Sequence, residues 1–155
     1  MREKSFRYVV DASILRASGA IDAQSDLARR CTEVLEKILK AGHRAALCDR
    51  LEEEWKKHAS RRARLWWGTM LKRRRLVLHG DPKNNDLRRS LVSVQDQGVK
   101  SAIEKDLHLI ELALAFDKLV VSLDAKLKAH LNQQAKLYRP ARNLIWLNAE
   151  PERIV

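Results

Sequence analysis

Five short apolar runs, "RYVVD", "RAALC", "RLVLHG", "KLVVSLD" and "NLIWLN", recur along the chain, and longer segments with helix-forming composition lie between them. This alternation constrains the fold more than any other feature. Two strands separated by a helix-length crossover pair in parallel, and a parallel sheet needs cover on both sides. The expectation is an α/β fold with a parallel sheet and helices on both faces.

The intervening segments support that reading. "LARRCTEVLEKILKAG" places Leu27, Cys31, Val34, Leu35, Ile38 and Leu39 on one helical face, and Gly42 supplies its stop. "DRLEEEWKKHASRRARLWWGTMLK" has helix-forming composition without proline. "GDPKNND" reads as a turn followed by a polar stretch. "SAIEKDLHLIELALAF" predicts one helix with Ile103, Leu107, Ile110 and Leu114 aligned, and "AKLKAHLNQQAKL" predicts a last one.

At 155 residues, with 45% hydrophobic and 33% charged residues, the chain suits one domain spanning 1–155. Its apolar runs are far shorter than the roughly 18 residues of a membrane span, and "MREKSFRY" lacks the apolar core of a secretory signal. No membrane partner and a soluble, cytoplasmic protein are expected. Cys31 and Cys48 fit neither a metal motif nor a disulfide framework, and are expected as reduced apolar side chains.

The net charge of +11 is concentrated. "WKKHASRRARLWWGTMLKRRRLVLHG" holds nine Lys and Arg and no acid, leaving about +2 elsewhere. Such a patch neutralises phosphates, so Arg61, Arg62, Arg64, Lys72, Arg73, Arg74 and Arg75 are candidate RNA-binding residues. Trp66 and Trp67 beside the arginines offer stacking faces for unpaired bases. The alternative makes Trp66, Met70 and Leu71 the core face of a helix whose solvated side is basic.

Parallel topology brings strand ends and helix starts to one sheet edge. Asp11 ends the first run, Asp124 ends "KLVVSLD", Asp106 lies early in the helix that precedes that run, and Glu52, Glu53 and Glu54 lie early in the helix after "RAALC". Four carboxylates from four segments should therefore meet. Clustered acids repel one another and gain nothing in a core, whereas Mg²⁺ or Mn²⁺ removes the conflict and assists phosphodiester hydrolysis.

These residues resemble the PIN-domain nucleases. The likeness rests on "VVDASIL", on "LEEEWKKH", and above all on "KDLHLIELALAFDKLVVSLD", where Asp106 and Asp124 stand 18 positions apart. It runs from about Tyr8 to Leu147 and is weakest between Arg61 and Lys100. The resemblance implies a three-layer α/β/α sandwich and an Mg²⁺- or Mn²⁺-dependent endoribonuclease leaving a 5'-phosphate and a 3'-hydroxyl. It also implies Asp11, Glu54, Asp106 and Asp124 as the acidic centre, with Asp11, Asp106 and Asp124 as metal ligands. Glu54 is chosen because it precedes Trp55, with Glu53 as the alternative. Ser13 and Ser122 match small hydroxyl positions that orient a carboxylate or water.

Small members of the family are often toxins held inactive by an antitoxin that covers the acidic edge, and they are often homodimers. An RNA-processing nuclease is the other expectation within the family. A receiver domain wants paired acids after the first strand, and a haloacid-dehalogenase-type phosphatase wants an Asp where this chain has Ser13. An inactive RNA-binding module of the same fold is the competitor outside the enzymes. Glu111 and Asp117 are expected to face solvent or cap a helix end, and His108 is expected to be a surface or packing residue.

Overall fold

The computed structural model of the chain describes residues 4–19 and 25–155. Five strands, β1 (Arg7–Val10), β2 (Arg44–Leu47), β3 (Leu76–Leu78), β4 (Leu119–Val121) and β5 (Ile145–Leu147), form one sheet. All four pairings are parallel, and the order is β3-β2-β1-β4-β5. Tyr8, Val9 and Val10 of the central strand are buried, as a strand covered on both faces requires.

Helices α1 (Ala12–Ala17), α2 (Asp26–Lys40), α3 (Asp49–His58) and α4 (Arg61–Lys72) connect β1 to β3 and pack on one another. After β3 come α5 (Asn85–Ser90), a 3-10 turn at Leu91–Ser93, α6 (Gln97–Lys105) and α7 (Leu107–Ala115). Then α8 (Ala125–Asn132) and α9 (Arg139–Arg142) link β4 to β5, and a 3-10 turn at Pro151–Arg153 follows. Right-handed crossovers put helices leading toward β3 on one face and those leading toward β5 on the other. The result is a three-layer α/β/α sandwich.

Several local expectations need correction. The stretch "DRLEEEWKKHASRRARLWWGTMLK" is two helices, because Ala59 is extended and the Ser60 hydroxyl caps α4 by accepting the Ala63 amide at 3.0 Å. "SAIEKDLHLIELALAF" is also two, divided at Asp106 with φ −109° and ψ 19°. The polar stretch after "GDPKNND" contains α5, whose Asn84 cap accepts from the Leu87 amide. Leu27 is exposed on α2, while Cys31, Val34, Leu35 and Ile38 are buried. In α4, Trp66 and Met70 are buried but Leu71 is exposed.

Two carboxylates expected at the surface hold the fold instead. Glu111 is 4% exposed and accepts from Arg88 at 3.0 and 2.8 Å and from the Asn84 amide, which ties the segment after β3 to α7. Apart from His108, the rest of α7 is apolar, so an unpaired Glu111 would be costly there. Asp117 accepts from the Arg7 amide at 2.7 Å and from its guanidinium at 3.0 and 3.1 Å, locking the entrance of β4 to that of β1. Both cysteines are buried and free, and burial pushes the Cys31 thiol up to about 11. No helix among the described residues is long and apolar enough to cross a membrane.

Candidate active site

The strand order reverses direction between β1 and β4, so their connections leave toward opposite faces and a crevice opens at the carboxyl ends. Asp11 follows β1 there, and Ser122 to Asp124 follow β4. A cleft of about 700 Å³ lies at this edge, lined by Asp11, Ser13, Arg16, Gly19, His58, Lys105, Asp106 and Asp124, while Glu54 lines a neighbouring groove with Arg50, Glu53 and Lys57.

Asp11 occupies the cap position of α1 without capping it. Its Oδ2 accepts instead from the hydroxyls of Ser13 at 2.7 Å and Ser122 at 2.9 Å. The same Ser122 oxygen accepts the Asp124 amide at 3.0 Å, and Ser13 accepts the Leu123 amide at 3.2 Å. The two serines thus stitch the β1 and β4 ends together. Asp124 is exposed and has a structural task as well, since its Oδ1 caps α8 by accepting the Lys126 and Leu127 amides.

Asp106 differs from both. It sits at the α6–α7 break, half-buried, and makes no side-chain cap. Burial first, and then the negative charge of Asp11 with smaller contributions from Asp124 and Glu54, raises its carboxyl above the ordinary 3.8, against an opposing pull from His108. Asp106 therefore senses acids from three other segments.

The indole of Trp55 places Glu54. Trp55 is fully buried and donates from Nε1 to the Val10 carbonyl at 2.8 Å, which pins α3 beside the residue that precedes Asp11. Glu54 then lies 3.1 Å from His108 Nε2 and 3.8 Å from Arg50 Nε, partly buried. Glu53 is exposed, and Glu52 pairs with Lys56 on the helix surface. Of the surface and packing positions expected for His108, the structure shows the buried one, on the first turn of α7 and against Glu54.

The donor chemistry fits a hard cation, because Asp11, Asp106, Asp124 and Glu54 supply only oxygen, and Asp11 and Asp124 are each held through one carboxylate oxygen. Among the described residues no three His, Cys, Asp or Glu side chains close together as a finished metal cage. Coulombic coupling reaches further than ligand contact, so a shared field without a cage is self-consistent.

The basic candidates divide between the two sheet edges. Arg61 and Arg62 are exposed at the start of α4, where the Ser60 amide bonds the Leu15 carbonyl of α1 and Gly19 approaches Ser60 too closely to admit a Cβ. Arg64 is committed to the α3 terminus, donating to the Ala59 and Lys56 carbonyls. Lys72, Arg73 and Arg74 are exposed, but they precede β3 and so lie at the amino edge of the parallel sheet, opposite the acids. Arg75 at that edge donates to the Gly42 carbonyl. Trp66 is buried against Trp55, with centroids 5.7 Å apart, so its face is not open to a base. Arg16 and Lys105, which the sequence patterns did not single out, are the cations that line the cleft, and His58 lines it beside them. Arg16 lies one turn along α1 from Ala12, a spacing that follows once α1 is known to begin there. No protein-family model, curated protein or solved structure matches the chain.

Proposed function

We propose that the protein is a PIN-like endoribonuclease that hydrolyses phosphodiester bonds with Mg²⁺ or Mn²⁺. The observation that carries this reading is Asp106, a half-buried carboxyl without a structural partner, whose proton affinity is raised first by its burial and then by the charge of Asp11, with Asp124 and Glu54 adding to it. Maintaining that repulsion costs stability, and clustered perturbed acids are characteristic of functional sites. Asp11, Asp106 and Asp124 would hold the ion, with Glu54 as a further ligand or water-orienting group. A bound divalent cation supplies Lewis-acid assistance to attack on the phosphodiester.

The chain's own residues do the rest. Ser13 and Ser122 keep Asp11 in one orientation, and Ser122 couples it to Asp124. Arg16 and Lys105 on the cleft wall attract the phosphate backbone and offset the acids' repulsion of it. In the test, purified protein is incubated with single-stranded RNA and Mn²⁺. The parent is expected to cut and Asp11→Asn to be inactive; no cutting by the parent, or equal cutting by the variant, refutes the nuclease.

One observation favours a second reading, an RNA-binding module without catalysis. Lys72, Arg73 and Arg74 form an exposed cationic cluster on the edge remote from the acids. Neutralising Arg73, Arg74 and Arg75 is expected to weaken RNA binding and flatten its salt dependence. For the nuclease, retained cleavage of bound RNA accompanies that loss; for the module, binding is the whole activity.

A further inference from the structure

We propose that His108 is a positioning residue for Glu54, donating from Nε2 so that the carboxylate is held against α7, the helix that begins at Asp106. This rests on the metal-site reading above. His108 is 8% exposed, and its Nε2 lies 3.1 Å from Glu54 Oε1. Neither ring nitrogen completes an aligned hydrogen bond among the described residues. A buried polar nitrogen left in that condition is destabilising, so an apolar residue would serve packing better at this position, between Leu107 and Leu109. Hydrogen bonds of this kind are commonly long or poorly aligned in a free site and tighten when the site is loaded.

The surroundings give the contact its purpose. Arg50 is 3.8 Å from Glu54 and 61% exposed, too solvated to fix a carboxylate. The backbone next to Glu54 is fixed by Trp55 on the Val10 carbonyl, at the end of the strand that presents Asp11. His108 stands two residues after Asp106, on the first turn of α7. One ring thus links the side chain of the α3 acid to the element that begins at the α6–α7 acid. Without it, Glu54 is free to turn outward toward Arg50.

The experiment uses the full chain with Mn²⁺ alone as probe, followed by calorimetry, and separately the nitrogen-15 spectrum of the histidine rings without metal. His108→Leu is expected to weaken Mn²⁺ binding about 10- to 100-fold, the usual range for residues that orient ligands. His108→Gln, which keeps a donor at similar reach, is expected to recover most of it. In a Glu54→Gln background, His108→Leu is expected to have no further effect. Unchanged Mn²⁺ affinity in a folded His108→Leu protein, or an equal loss in the Glu54→Gln background, overturns the proposal.

In the metal-free spectrum, His108 is expected to carry its proton on Nε2 and to shift when Glu54 is changed to Ala. A bare Nε2 that is insensitive to Glu54 overturns the proposal even where His108→Leu fails to fold. A parent that binds no Mn²⁺ but keeps the Glu54-sensitive Nε2–H signal supports the pairing and refutes the metal reading, so the two failures are distinct.

Discussion

Ser122 Oγ, just past β4, donates to Asp11 Oδ2, just past β1, at 2.9 Å, and the same oxygen accepts the Asp124 amide at 3.0 Å. A single hydroxyl therefore sets the relative position of two acids across the crevice where the strand order reverses. Ser122→Ala removes the donor from Asp11 and leaves the Asp124 amide without its acceptor. The expected cost is about 1 kcal/mol of stability and at least about 10-fold in Mn²⁺ affinity. Denaturant titration and calorimetry on one preparation check this. A stability loss with unchanged Mn²⁺ affinity would reduce Ser122 to a structural link.

Asp106 carries a stability cost that depends on pH. Its folded carboxyl holds a proton more tightly than the unfolded chain does, so stability is lost as pH rises through and above the ordinary 3.8. Asp106→Asn is therefore expected to stabilise the metal-free protein at neutral pH, with the gain shrinking as pH falls toward about 4. Mn²⁺ should raise the melting temperature of the parent and not of the variant. Urea midpoints across that range test the first part. A variant less stable than the parent at neutral pH contradicts it.

Asp117 has the opposite sign. Hydrogen bonds from the Arg7 side chain come first, outweighing burial, and hold its carboxyl below the ordinary carboxylate value. The stabilisation is present above the unfolded value of 3.8 and is lost as pH falls through the lower folded value. Asp117→Asn should be less stable than the parent at neutral pH, and the gap should narrow in acid. Because Arg7 is 41% exposed, added salt should also narrow it. A deficit independent of both pH and salt would assign the loss to the Arg7 amide bond alone.

Lys118, just before β4, has φ 62°, a left-handed conformation that is costly for a residue with a Cβ, and its amide donates to the Ala113 carbonyl to close α7. Gly42, with φ 77°, does the same work before β2 without the penalty. Lys118→Gly is expected to gain about 0.5–1 kcal/mol, and Gly42→Ala to lose at least that much because its Cβ would also meet Arg75 Nη1 at 3.2 Å. Thermal unfolding of both variants gives the comparison. A destabilised Lys118→Gly would show that the entropy gained by the unfolded chain outweighs the relieved strain.

The parts of this protein that were legible in its sequence are those governed by local periodicity. Apolar β-branched runs separated by helix-length segments predict parallel strands, and Asp11 at the end of "RYVV" follows from where the run stops. The break at Asp106 was not legible, because Ile103, Leu107 and Ile110 keep helical spacing across it. It arises where α6 gives way to α7, at a residue whose own backbone is no longer helical. The same limit applies to "KKHASRRAR", where composition continues through the turn that Ser60 caps.

Sequence by itself determined the five strands and their alternation with helical segments, the parallel sheet and the edge to which its strand-end acids come. Tertiary structure alone decided which charges share that edge. Strand direction sends Lys72, Arg73 and Arg74 to the far side, although they follow Glu54 closely in the chain. Packing of α7 against α3 buries His108 beside Glu54, and α5 brings Arg88 to Glu111. These are contacts between residues distant in sequence. Their partners are set by how layers stack, which no local spacing of residue types encodes.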